Sequence, residues 1–248
     1  MTTAPHAGDR SGIAMVGFDA DDTLWRSQDY FDEAQADFER IVAGYVDLAD
    51  VGRRLYEYES RNIAFFGYGV KGMALSMVEA AVEITGARIS ARDIHRIVAL
   101  AKELLRHPVE LLDGVREAVA AVAADHPVVL ITKGDLFHQE QKVRDSGLAD
   151  LFRRIEIVSE KDPATYARLL EEFGVPASRF LMVGNSLRSD IAPVLELGGW
   201  GVHVPYHTTW AHEADAQLRH GGERMRAVAT IADLPQALRE LDTLAASA

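Results

Sequence analysis

Five short apolar runs punctuate the chain, at 13–18, 127–132, 155–159, 180–183 and 200–204. They are rich in β-branched residues and bounded by Gly, Asp or Lys, as strands covered on both faces are. Between them, apolar positions recur at helical spacing over 115–124, Pro163–Phe173, 190–197 and 234–244. Pro163 suits a first helical turn and Gly174 a helix stop, while the Gly198-Gly199 pair closes the helix before it. From about 113 onward, strand and helix therefore alternate, which predicts an open α/β sheet.

The stretch from 26 to 110 breaks this rhythm. Its pattern is helical throughout, over 30–49, 52–66, 72–85 and 91–105, with loop-like breaks at 67–69 and 86–90. The order is thus one strand, a helical insertion, and then the rest of the sheet. Domain boundaries follow: a core from 10–25 and 108–248, and an inserted helical unit from 26–107. The segment GYGVKG, 67–72, spells out GxGxxG, but the residues before it read as a helix end. A dinucleotide site needs a strand there, so the segment reads as a flexible Gly loop between two helices.

Composition narrows the function classes. The 248 residues are 48% apolar and 26% charged, ordinary for a globular chain, with a formal net charge of −12. That charge argues against nucleic acid or an anionic membrane as the main partner. It permits an anionic small molecule, because a bound cation reverses the local field. There are no cysteines, which removes disulfides, thiolate zinc sites and cysteine nucleophiles. No apolar run approaches the ~20 residues of a membrane span. The first twelve residues are polar and Gly-containing, read as a loose tail without a secretory signal. The expected location is cytoplasmic and the expected partner a small molecule.

In open α/β sheets ligands sit at the carboxyl ends of the strands. Asp19, Asp21 and Thr23 follow the first run; Thr132, Lys133 and Gly134 the second; Lys161 the third; Gly184, Asn185, Ser186 and Asp190 the fourth. Carboxylates suit a hard cation such as Mg²⁺, which keeps waters and a phosphate in its shell. Asp19 can offer one oxygen to the metal and attack phosphorus with the other. Asp21 can protonate the leaving oxygen and then activate water, with its carbonyl available to the metal. The Thr132 hydroxyl, nearby backbone N–H groups and the Lys161 ammonium would hold phosphoryl oxygens. Lys133 could contribute its backbone N–H or its side chain. Asn185 and Asp190 would complete the metal shell, directly or through water.

The order DxDxT (Asp19, Asp21, Thr23), a run ending in Thr132, then Lys161, then GNSxxSD (Gly184 to Asp190) resembles the haloacid dehalogenase-like hydrolase superfamily. The resemblance covers roughly 10–25 and 108–230. It implies a Rossmann-like parallel sheet with helices on both faces, an α-helical cap where the insertion falls, a Mg²⁺ cofactor and, most often, phosphomonoester hydrolysis. Asn185 stands where the family usually has Asp, so the site has one negative charge fewer. Members that dehalogenate carbon lack the second Asp of the first motif. Asp21 is present here, which favours a phosphatase, since a halide needs no acid to leave. Other reactions of the superfamily (dehalogenase, phosphonatase, phosphomutase) and a catalytically weak binding module are the alternatives.

The remaining features read more plainly. Asp22 suits a turn or cap, and Thr23 a loop-supporting hydrogen bond as well as phosphate contact. Trp25 and Phe31 fit either a substrate pocket or packing between the two parts. Within the Gly loop, Tyr68 and Lys71 are candidates to contact the non-phosphate part of the substrate. HVPYHTTWAH, 203–212, carries His203, His207 and His212 at a spacing that fits no common metal pair, and reads as a loop at the site's rim.

Overall fold

The computed structural model describes residues 12–213 and 222–247. The stretch read as a loose tail lies, except for Gly12, outside the described residues. Six strands form one parallel sheet: β1 (Met15–Phe18), β2 (Val128–Lys133), β3 (Arg154–Val158), β4 (Phe180–Gly184), β5 (Trp200–His203) and β6 (Met225–Ala227). Their order is β3-β2-β1-β4-β5-β6. β1 lies between β2 and β4, pairing Val16 with Val128 on one side and with Leu181 on the other. The chain winds outward in opposite directions from β1, so a crevice opens beyond the carboxyl ends of β1, β2 and β4.

Burial on both faces explains the continuous apolar runs. Along β2, Val128 and Leu130 join one core and Val129 and Ile131 the other. Helices α5 (Val115–Asp125) and α9 (Leu234–Ser247) cover the first face; α7 (Pro163–Phe173) and the short α8 (Ala192–Glu196) cover the second. The architecture is the open α/β sheet that the alternation predicts, of the Rossmann-like kind that the resemblance implies.

Residues between β1 and α5 hold four helices: α1 (Gln28–Ala43), α2 (Val51–Phe66), α3 (Val70–Ile84) and α4 (Ala91–Arg106). They bury a core of their own around Phe38, Leu55, Met77 and Ile97. The chain leaves and re-enters the sheet unit through neighbouring segments: Leu112 N–H donates to the Leu24 carbonyl at 3.0 Å and Arg26 N–H to that of Glu110 at 3.0 Å. None of the described helices is long and apolar enough to cross a membrane.

Some boundaries differ from expectation, and two elements were not expected. The first helix stops at Ala43 rather than running to 49, because Gly44 ends it and Asp50 already precedes α2. The helix expected over 190–197 begins as a π-helical turn, Leu187–Ile191, and continues as α8 with Pro193 in its first turn. Strand β6 and helix α6 (Leu136–Asp145) were not expected. α6 is largely polar and buries only His138, Gln139 and Val143, so its apolar period is weak. Its start is marked by Asp135, whose carboxylate accepts from the His138 N–H at 3.0 Å.

Candidate active site

β1 ends at Phe18, and the Asp19 N–H still bonds to the Val183 carbonyl of β4 at 2.9 Å. The chain then turns sharply: Thr23 and Leu24 both donate their N–H to the Ala20 carbonyl, and Asp22 takes a left-handed backbone at φ 60°. This turn sends the three carboxylates in three directions.

Asp19 faces inward. Its Oδ1 accepts from Lys161 and its Oδ2 from the Thr23 hydroxyl at 3.1 Å. The same Lys161 ammonium reaches Asp190 Oδ1 at 2.7 Å, and Asp190 Oδ2 accepts from the Ser186 N–H at 3.0 Å. One lysine, its side chain 2% exposed, thus serves two buried carboxylates. Burial, reinforced by the repulsion of Asp190, pushes Asp19 up to about 7 against the pull of Lys161. Burial likewise raises Asp190. Gly184 is required here: a Cβ would lie 2.2 Å from Asp190 Oδ2. Thr23 links this cluster to β4, because its hydroxyl accepts from the Asn185 N–H at 3.0 Å.

Asp21 faces α6. Its Oδ1 accepts from Trp25 Nε1 at 2.6 Å and from Lys142 at 2.5 Å, and its Oδ2 from Gln139 Nε2 at 3.0 Å. Burial acts to raise it, but Lys142 and these donors prevail and hold it below the usual carboxylate value. Gln139 also donates to the Thr132 hydroxyl at 3.0 Å and to the Lys133 carbonyl at 2.6 Å, so one amide ties the ends of β1 and β2 together. Asp22 turns the third way and accepts the Ser27 and Gln28 N–H groups at 2.8 and 3.0 Å. It caps the start of α1, as its turn-or-cap reading anticipated.

The sequence-expected residues Asp19, Asp21, Thr132, Lys133, Lys161, Asn185, Asp190 and Tyr68 all line one cavity of about 200 Å³ between the sheet edge and the helical unit. Thr23 lies fully buried beneath its floor. Lys71 does not line it. Its ammonium pairs with Asp135 at 2.9 Å while remaining 55% exposed, because the Gly loop packs directly on the 134–135 turn. Gly69, at φ +98°, has room for a Cβ only 3.1 Å from the Asp135 nitrogen. Tyr68, by contrast, donates its hydroxyl to Glu160 at 2.7 Å and lies 3.3 Å from His212 Nε2. The Lys133 side chain sits 4.3 Å from the centre of that ring and is committed to Glu160, Glu213 and Ser189.

Trp25 belongs to the core and Phe31 to the cavity wall. The three histidines of 203–212 diverge: His203 meets the Asn185 carbonyl at 2.9 Å, His207 meets Asp29 at 2.7 Å, and His212 meets Tyr68. They form a rim loop, with Tyr206 also bonded to Asp29 at 2.6 Å. Sequence reasoning missed Gln139, Lys142, Glu160 and Glu213. The first two sit on the unexpected α6, for which Asp135 was the available signal.

The donor set suits a hard divalent cation. Asp19, Asp190 and the Asn185 side-chain carbonyl offer only oxygens, and two buried carboxylates share a single lysine, which leaves negative charge uncompensated. Among the described residues no three His, Cys, Asp or Glu side chains converge as a ready cage. An ion there would rely on the Asn185 amide, the Asp21 backbone carbonyl and water for the rest of its shell.

The haloacid dehalogenase-like hydrolase family model matches residues 13–198, from just before β1 to just past α8. The chain belongs to the haloacid dehalogenase-like hydrolases. The hydrolase is 55% identical to a haloacid dehalogenase-like family hydrolase from Xanthomonas campestris, covering 98% of this chain and 97% of that one, with a TM-score of 0.87. A 2-haloacid dehalogenase from Pseudomonas syringae pv. tomato shares the fold at 23% identity, covering 92% and 98% of the two chains with a TM-score of 0.59. A protein described as a predicted phosphoglycolate phosphatase from Haemophilus somnus does so at 17%, covering 93% and 99% with a TM-score of 0.62. No curated protein matches the hydrolase.

Proposed function

We propose that this hydrolase is a Mg²⁺-dependent phosphatase of small phosphomonoesters, with the four-helix unit as a cap over the reaction. The observation that carries it is the Asp19–Lys161–Asp190 cluster on the cavity floor, beside the Thr132 hydroxyl. Asp19 attacks phosphorus and the ester oxygen leaves, giving an aspartyl-phosphate. Asp21 protonates that oxygen, then takes a proton from the water that attacks the phosphorus and frees Asp19. Lys161 and the Thr132 hydroxyl stabilise the phosphoryl oxygens through both steps. A divalent cation held by Asp19, Asn185, Asp190 and the Asp21 carbonyl would supply further charge neutralisation. Asp21, ionised beside Lys142, is ready as a base. To serve as an acid it must first gain a proton and leave that lysine.

Two features favour this over the other reactions of the family. The cavity's helical wall holds Glu59 and, among the described residues, no Lys or Arg, which suits the carboxylate of a 2-haloacid poorly. Schiff-base phosphonate cleavage needs a lysine of the helical unit in the cavity, and Lys71 lies outside it in an ion pair.

The test is phosphate release from p-nitrophenyl phosphate with Mg²⁺ and with a chelator. Turnover should need the metal, and Asp19→Asn should lower kcat by roughly three orders of magnitude or more while leaving the fold intact. Near-wild-type turnover in that variant would remove Asp19 as nucleophile.

A further inference from the structure

We infer that the helical end of the cavity is a subsite for a protonated amine on the substrate, with Glu59 as its counter-ion. The inference rests on the phosphatase reading and names the substrate class: a small phosphomonoester that carries an ammonium group away from the phosphate.

Glu59 lies on α2 and lines the cavity together with Asn62 and Ile63, three and four residues on, as one face of a helix requires. Among the described residues its carboxylate makes no hydrogen bond and no ion pair. Burial alone acts on it and pushes it up to about 7. A half-buried carboxylate without a partner in a ligand cavity is costly to keep charged, and a ligand cation would relieve that cost.

The neighbouring amides point to the same chemistry. Asn62 spends its NH₂ on Ser76 at 3.2 Å and on Glu79 at 2.6 Å. Gln35 donates one N–H of its NH₂ to Glu39 at 2.9 Å. The carboxylate partners fix both amide orientations, because a carboxylate accepts and cannot donate. Neither carbonyl oxygen accepts from a protein donor among the described residues, and both residues line the cavity. The Ser76 hydroxyl is also spent, donating to the Gly72 carbonyl at 2.9 Å. This end therefore offers three unspent acceptor groups: the Glu59 carboxylate and the Asn62 and Gln35 amide oxygens. An ammonium group is three donors and one positive charge, which matches that set.

The opposite end is where the phosphatase reading places the phosphate. The cavity's lysines all stand there: Lys133 ends β2, Lys161 follows β3, and Lys142 lies on α6 against Asp21. Each is paired there with a carboxylate, so none is available to Glu59. Phe31, Ile63 and Met73 line the walls and suit a short carbon skeleton between the two poles.

The experiment compares matched substrates that differ by one group: 2-aminoethyl phosphate against 2-hydroxyethyl phosphate, and glucosamine 6-phosphate against glucose 6-phosphate. The wild type should favour the amine member of at least one pair by tenfold or more in kcat/KM. In Glu59→Gln that ratio should fall to near one. Equal rates within both pairs, with p-nitrophenyl phosphate still hydrolysed, would overturn the amine subsite and leave the phosphatase reading standing. If p-nitrophenyl phosphate is not hydrolysed, the phosphatase reading fails instead. Calorimetric titration with 2-aminoethyl phosphate then decides the subsite: binding weakened tenfold by Glu59→Gln supports it, and binding unchanged or absent overturns it. The wild-type preference requires no variant, so a misfolded Glu59→Gln would not remove the test.

Discussion

Asp19 and Asp21 are two residues apart, and their surroundings move them in opposite directions. Asp19 shares its one cation with Asp190 and is raised, whereas Asp21 has Lys142 to itself and is lowered. Lys142 therefore sets which proton Asp21 can hold. Lys142→Gln should raise the Asp21 pKa and carry the basic limb of the kcat/KM pH profile upward by about one unit or more. The limb moves up because an acid must be protonated to act, and it would stay protonated to higher pH. A pH profile measured from 4 to 9 on p-nitrophenyl phosphate reads this directly; an unmoved limb would take Asp21 out of the acid role. At this scale the sequence was informative wherever a residue sits at the end of a recognisable strand, as Asp19, Thr132, Lys161 and Asp190 do. It was silent about Gln139 and Lys142, whose role depends on a helix with almost no apolar stripe, and about Glu59, which is one polar residue among many on an amphipathic helix.

The turn after β1 shows how an element begins. α1 lacks a side-chain cap from Ser27, its own N-cap residue, and takes one instead from Asp22, five residues upstream of Ser27. Asp22→Ala should remove about 1 kcal/mol of stability at pH 5.5, a fall of roughly 2–4 °C in melting temperature for a chain of this size. The penalty should shrink at pH 8.5. Burial raises Asp22 from 3.8 to about 7, so the stability this carboxyl contributes is complete below its unfolded value and is lost as pH rises toward 7. Melting curves of both proteins at the two pH values check the sign. The strands were legible because parallel, doubly covered strands must be apolar along their whole length. β6 was not, since an edge strand of three half-exposed residues carries no such run. The overlong first helix came from apolar Val46 and Leu48, which continue the pattern past Gly44, where the backbone stops.

Across the whole molecule, several polar contacts join the helical unit to the sheet unit beside the cavity. Tyr68 reaches Glu160, Lys71 reaches Asp135, and Tyr206 and His207 both reach Asp29. Tyr68→Phe removes one such contact and keeps the ring beneath Lys133. It should raise KM about three- to tenfold with a smaller change in kcat, the expected worth of a single hydrogen bond of ~1 kcal/mol. Steady-state kinetics on the preferred substrate separates the two constants; a fall in kcat alone would place Tyr68 in the chemistry instead. The general plan was readable from the chain because the helical insertion interrupts a regular alternation. The contacts that close the cavity were not, because each joins residues more than sixty positions apart through side chains that any surface could carry.

The paired segments at 24–26 and 110–112 have a consequence of their own. Everything between them is joined covalently to the sheet unit at that one seam, like a drawer on one runner. Such an arrangement lets the helical unit be exchanged while the strand ends that carry Asp19, Thr132, Lys161 and Asp190 stay as they are. The same seam is where a protein engineer would cut, grafting a foreign helical unit onto this sheet to give the old reaction a new clientele.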